Sequence, residues 1–202
     1  MIVNLVGECD KRPIIYTLMK VFQSLGDVLL LTSDHRLLRL SDTRENEGHY
    51  QNVMIAYTTD GVDDFLEDFS YDLTDFTHVI IDNLVAGQAD VTIYCHGLID
   101  SEQEKDAVEY VEDVQHIDLY KGKGVQGITM YNCERFEVMR NMPPIHNTCA
   151  MDVARIMHGP LNTSEANITK IAMAAPLGSE AVKSKAKRSP FGRSTGGGKK
   201  KK

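Results

Sequence analysis

The chain has 202 residues, 42% of them apolar and 25% charged, with a net charge of −7. This size and balance suit one globular domain with a short appendage, large enough to bury a real core. No apolar run approaches the roughly 18–20 residues of a membrane span, and the start MIVNLVGE has neither a basic n-region nor a signal-type cleavage site, so a cytoplasmic protein is expected.

In chain order, MIVNLVG is a short apolar run closed by glycine, the pattern of a central parallel strand. Pro13 suits the first turn of a helix, where its missing N–H costs nothing. Ile14, Ile15, Leu18, Met19, Phe22 and Leu25 follow at helical spacing, and Gly26 is the expected stop. DVLLLT predicts the next buried strand. Asp34 to Gly48 predicts a charged connection with a short helical turn at HRLLRL. NVMIAYTT predicts a third strand and VDDFLEDFSYDL a short amphipathic helix.

FTHVIIDNL and ADVTIYCHG predict a fourth and a fifth strand. SEQEKDAVEYVEDVQHI predicts a surface helix, with Ser101 as N-cap and Glu104 completing a capping box. GVQGITMYN predicts a sixth strand. Beyond CERFEVMRNM and the Pro143-Pro144 break, TCAMDVARIMHG and NTSEANITKIAMAA predict two final helices. Strands alternating with helices demand right-handed crossovers over a parallel sheet. The expected fold is α/β and three-layered, a mostly parallel sheet with helices on both faces, over residues 1–180.

This series resembles the ParA/MinD group of P-loop ATPases over roughly residues 1 to 132. The second strand ends on an acid in LLLTSD. A later strand, HVIIDN, has the form of three apolar residues and an aspartate. ADVTIYCHGLIDSEQEKDAVEYV matches a strand that opens on Ala-Asp and leads to a Ser/Asp-rich helix start, and GITMYN matches a late strand ending in asparagine. The resemblance implies a P-loop NTPase-like sheet in which Asp82 stands for the Walker B aspartate, Asp34 for the acid after the second strand, and Asn132 for the residue closing the late strand.

The phosphate loop departs from that family. A loop of the form K-G-G-x-G-K-[ST] cradles phosphates with backbone N–H groups, neutralises them with lysines and holds magnesium with a hydroxyl. Here the chain reads Gly7-Glu8-Cys9-Asp10-Lys11-Arg12-Pro13. Gly7 is the only glycine before Gly26, Glu8 and Asp10 add negative charge, Pro13 removes a donor, and Ile14-Ile15 replace the hydroxyl. Gly7, Lys11, Arg12, Asp34 and Asp82 therefore form a vestigial nucleotide site at most. Asp82 could equally cap the chain at a strand end. Glu8 and Asp10 can accept N–H bonds from the helix start, where carboxylates are favoured.

The four cysteines, Cys9, Cys95, Cys133 and Cys149, include no C-x-x-C pair and read as reduced packing residues. A zinc set of Cys133, His146, Cys149 and His158 fits no common spacing. Cys9, beside a helix start, is a candidate for a lowered pKa, but a C-x5-R phosphatase loop would need arginine where Ile15 stands. Cys95 and His96 are adjacent on a strand and so point to opposite faces.

Nine of the 22 Lys/Arg (Lys183, Lys185, Lys187, Arg188, Arg193, Lys199, Lys200, Lys201 and Lys202) lie in residues 181–202 with no acid. That leaves 13 basic against 29 acidic residues before them, a net of −16. The tail is expected to be disordered in isolation, and contact with polyanions would run through it. The composite expectation is a non-catalytic, cofactor-free ParA/MinD-like pseudo-ATPase acting through protein contacts, as a homo-oligomer or part of a phage, partition or secretion assembly, in the host cytoplasm or a virion. The alternatives are a divergent nucleotide-binding ATPase and a DNA-binding accessory protein working through the tail.

Overall fold

Val28–Thr32 is buried along its whole length, as a strand covered on both faces must be. It is β2 of a computed structural model that describes residues 1–41, 47–83, 89–96, 115–118, 145 and 147–174. The other strands are β1 (Ile2–Val6), β3 (Glu47–Tyr50), β4 (Val53–Tyr57), β5 (His78–Asp82), β6 (Val91–His96) and β7 (Gln115–Asp118). Among the described residues these seven form one sheet in the order β3-β4-β2-β5-β1-β6-β7. Only the β3–β4 pair is antiparallel.

The period of two along each strand divides the apolar residues between two cores. On one face Val3, Leu5, Val28, Leu30, Val53, Ile55, Ile80, Ile93 and Ile117 meet α1 (Arg12–Gln23), α3 (Asn147–Met157) and α4 (Glu165–Met173). On the other, Leu29, Leu31, Met54, Val79 and Ile81 pack with Val62 and Phe65 of α2 (Val62–Phe69). The α/β class, the mostly parallel sheet and helices on both faces are as the sequence predicts. No described helix is long and apolar enough to cross a membrane.

All twelve residues of α1 are buried, including Arg12, Lys20 and Gln23. The sheet covers one side and α3 and α4 the other. Lys20, whose pKa burial lowers, donates to the carbonyl of Ala174 just past α4, where a cation suits the helix dipole. At the other end of α1, Asn52 Nδ2 donates to the carbonyls of Gln23 (3.1 Å) and Gly26 (2.7 Å), tying the β3–β4 turn to the helix end.

Several expectations need adjusting. Gly26 does not end α1 through a left-handed turn, since Gly7 is the only described glycine with positive φ. It is needed because an added Cβ would lie 2.5–2.9 Å from the side chain of Thr77. The charged connection ends in β3, a strand the sequence did not announce, and HRLLRL is a 3-10 helix over His35–Leu40. Gln115, His116 and Ile117, expected at the end of a surface helix, lie instead in β7. The rest of that helix, the strand GVQGITMYN, Asn132, Cys133, His146 and the tail fall outside the described residues.

His78 stacks on Phe22 of α1 with ring centroids 4.3 Å apart, and its Nδ1 receives no hydrogen bond among the described residues. Burial, aided by the nearby N-terminal ammonium, lowers its pKa below the ordinary histidine value. The unfolded chain therefore takes up this proton first as pH falls. Stability from the neutral ring is complete above about pH 6.5 and declines below it. His78→Phe should keep the stack and flatten the dependence. In denaturant melts at pH 7.5 and 5.5, the wild type should lose more midpoint on acidification than the variant.

Candidate functional site

The carboxyl ends of β1, β2 and β5 meet at the start of α1, in the crevice where open α/β sheets usually bind ligands. Register puts Thr32 beside Asp82 and Leu5 beside Asp82 on the other side. Alternation turns both Thr32 and Asp82 towards α1, on the face that carries Leu30 and Ile80.

Asp82 is 3% exposed and Lys11 5%, and the Lys11 ammonium stands 3.2 Å from Asp82 Oδ1. This is an ionic contact rather than a directed hydrogen bond, since Oδ1 receives none among the described residues. The ammonium also donates to the carbonyl of Gly7. The second carboxylate oxygen accepts from Thr32 Oγ1 at 2.7 Å, and that hydroxyl accepts from the N–H of Asp34 at 2.9 Å. Lys11 is also the N-cap residue of α1, so the pair ties the helix start to the end of β5.

Around this pair runs a second set of charges. Asp10 accepts from Arg12 Nε at 2.7 Å and from its backbone N–H at 3.2 Å, and forms a close ion pair with its guanidinium. Asp34 caps the 3-10 helix by accepting from the N–H of Arg36 (3.0 Å) and holds its guanidinium through Nε (2.7 Å) and Nη2 (2.6 Å). Arg36 reaches within 4.0 Å of Asp10 and links the two pairs. Burial alone would raise both carboxyl pKa values, but the hydrogen bonds and charge of Arg12 on Asp10, and of Arg36 on Asp34, bring them below the ordinary range.

Of the five residues singled out in the sequence, Gly7, Lys11 and Asp82 come together directly, while Arg12 and Asp34 each face a neighbour two positions away. Thr32 and Arg36 belong to the site and were not singled out. The signal for Thr32 was its place at the end of LLLT, but its partner emerges only from the β2–β5 register.

The arrangement suits a polyphosphate poorly. The N–H of Arg12 is taken by Asp10, Pro13 has none, and the N–H groups of Ile14 and Ile15 bond to the Lys11 carbonyl. Gly7 has φ +118°, and a Cβ there would lie 2.4 Å from the carbonyl oxygen of Cys95. Its role is close approach to β6. Lys11, Arg12 and Arg36 each face a carboxylate, so among the described residues this edge offers little net positive charge to an anion. No family model matches the sequence, and no curated protein is significantly similar to it.

The three described cysteines, Cys9, Cys95 and Cys149, are reduced thiols. Cys9 donates from its thiol to the carbonyl of Cys95 at 3.0 Å. Burial holds the Cys95 thiol well above its ordinary range, with Cys9 adding to the shift and Lys11 opposing it, which favours the protonated thiol. Cys95 faces the α1 core, whereas His96 contacts His116 of β7. Cys149 lies 3.1 Å from Thr17 Oγ1 in the core, whereas His158 is exposed beside Glu165 at 3.8 Å. Among the described residues no three or more metal-ligating side chains gather.

Removing one member of a buried ion pair leaves the other charge stranded, at a cost of about 3–5 kcal/mol, whereas replacing both with apolar groups is often near neutral. Lys11→Met and Asp82→Leu should each destabilise by that order, and the double variant should recover most of it. Denaturant unfolding of the four proteins measures this coupling, and additive losses would count against it.

Proposed function

We propose that the chain is a non-catalytic relative of the ParA/MinD ATPases, with a P-loop NTPase-like sheet, that acts through protein contacts. Its role is that of a scaffold or regulatory component of a larger partition, secretion or bacteriophage assembly. The observation that carries the reading is the engagement of Lys11 with Asp82 and Gly7. The residues that would meet a phosphate and a magnesium ion hold each other instead. Phosphoryl transfer relies almost wholly on positioning and charge stabilisation, and the surroundings of this pair offer little of either. The order of the pieces supports the family, and the altered loop supports the loss of chemistry.

Calorimetric titration with ATP and with GTP, each with magnesium, should show no binding to the full chain. A micromolar affinity, with phosphate release that disappears in Asp82→Asn, would overturn this reading in favour of a divergent nucleotide enzyme.

The nine basic residues from Lys183 onward favour a compatible activity, non-specific contact with a polyanion. Full engagement on duplex DNA would give a log–log salt slope of about −8, at about 0.9 per phosphate. The acidic body should make the slope shallower by competing for the same cations. Binding measured by fluorescence anisotropy at low salt should vanish when residues 183–202 are deleted. Equal binding by the truncated chain would place the contact elsewhere.

A further inference from the structure

On the sheet face opposite α1, alternation brings Tyr94 and His96 of β6 beside His116 of β7. His96 Nε2 and His116 Nδ1 stand 2.9 Å apart, with the rings 5.1 Å between centroids and 25° from parallel. Tyr94 meets both rings edge-on, at 4.5 Å from His96 and 6.0 Å from His116. Arg155 of α3 donates to the backbone carbonyl of His116 at 3.3 Å and helps to hold β7 in place. His116 is exposed and His96 half-buried, so the two nitrogens converge near solvent.

We propose that His96 and His116 form a two-histidine binding site for a divalent transition-metal ion of the zinc, nickel or copper class. Imidazole nitrogens are preferred ligands of these ions. Two nitrogens bound to one ion at about 2.0–2.1 Å stand about 2.9 Å apart at a right angle and about 3.4 Å apart in a tetrahedron. The two nitrogens are thus already at a chelating distance, and each ring need only turn to swing its lone pair from the neighbouring nitrogen to a shared ion. Without metal, the contact is a single N–H···N hydrogen bond in which one ring donates and the other accepts. On binding, each ring presents its inner nitrogen as a lone pair and carries its proton on the outer one, His96 on Nδ1 and His116 on Nε2. Water completes the coordination. Tyr94 supplies the orientation that a chelating pair needs, since outer contacts which fix ring direction strengthen metal sites. The inference is independent of the nucleotide reading, because these residues lie on the opposite face of the sheet from Lys11 and Asp82.

Calorimetric titration of the full chain with Zn2+ tests the proposal. The wild type should bind one ion at this site with micromolar affinity and show a raised thermal midpoint, and excess Mg2+ should not compete. His96→Ala and His116→Ala should each weaken that event by roughly tenfold or more, whereas His158→Ala, at an exposed histidine on another element, should leave it unchanged. Circular dichroism checks that the variants fold. If an alanine variant does not fold, His116→Gln, which keeps a polar side chain at an exposed position, takes its place with the same expected loss. Zinc affinity that is unchanged in the folded histidine variants would overturn the proposal, as would no binding by the wild type up to millimolar zinc. Either result would leave a plain hydrogen-bonded pair.

Discussion

The Lys11–Asp82 contact is the constraint on which the rest of this structure hangs. Two opposite charges almost fully removed from water are tolerable only with each other and with polar neighbours that meet their remaining valences. The Gly7 carbonyl and the Thr32 hydroxyl supply those neighbours, so β1, β2, β5 and the N-cap of α1 are fixed at one point. Once the helix start is pinned, its direction follows from apolar packing over the sheet. Phe22 arrives over His78 and Lys20 arrives at the end of α4. A buried ion pair of this kind adds little net stability compared with an apolar pair. What it contributes is discrimination, since a shifted helix would strand a charge.

The same edge shows how side chains of the chain itself can fill a crevice of this kind. A parallel sheet leaves a crevice at its carboxyl end whatever the residues there do. Here Asp10 takes the place an anion would occupy at the helix start, and Lys11 turns inward. Acidic side chains answer the cations of the loop one for one, in keeping with a body whose acids far outnumber its bases. The family relationship we propose therefore concerns architecture and surface.

Much of the architecture was legible because strand burial writes itself into composition. VLLLT and HVIID are nearly continuous apolar runs, and a run buried on both faces has few other readings. The edge strands were harder. β3 (EGHY) and β7 (QHID) are short and polar, and their pairing is decided by neighbours rather than by their own pattern. The site was half legible. Asp82 could be nominated from an ordered series of motifs and Lys11 from its place in the loop after β1, whereas Thr32 needed the register of two strands 50 residues apart. The pairing of Asp34 with Arg36 and of Asp10 with Arg12 is local, two positions apart, and follows the habit of aspartate to accept from backbone N–H groups just ahead of it.

The complete burial of α1 has a consequence for how the molecule must be made. This helix begins at residue 12, but α3 and α4, which cover its outer side, begin only at residues 147 and 165. During synthesis the chain emerges from its N-terminus at about 5–20 residues per second. The outer face of α1, where Thr17 meets Cys149 and Lys20 meets Ala174, thus stays uncovered by these helices until most of the chain has been translated. For several seconds the nascent protein presents this helix without the two described helices that cover it. The last two described helices close the core over α1, and until they arrive the first helix is the natural place for a chaperone to hold.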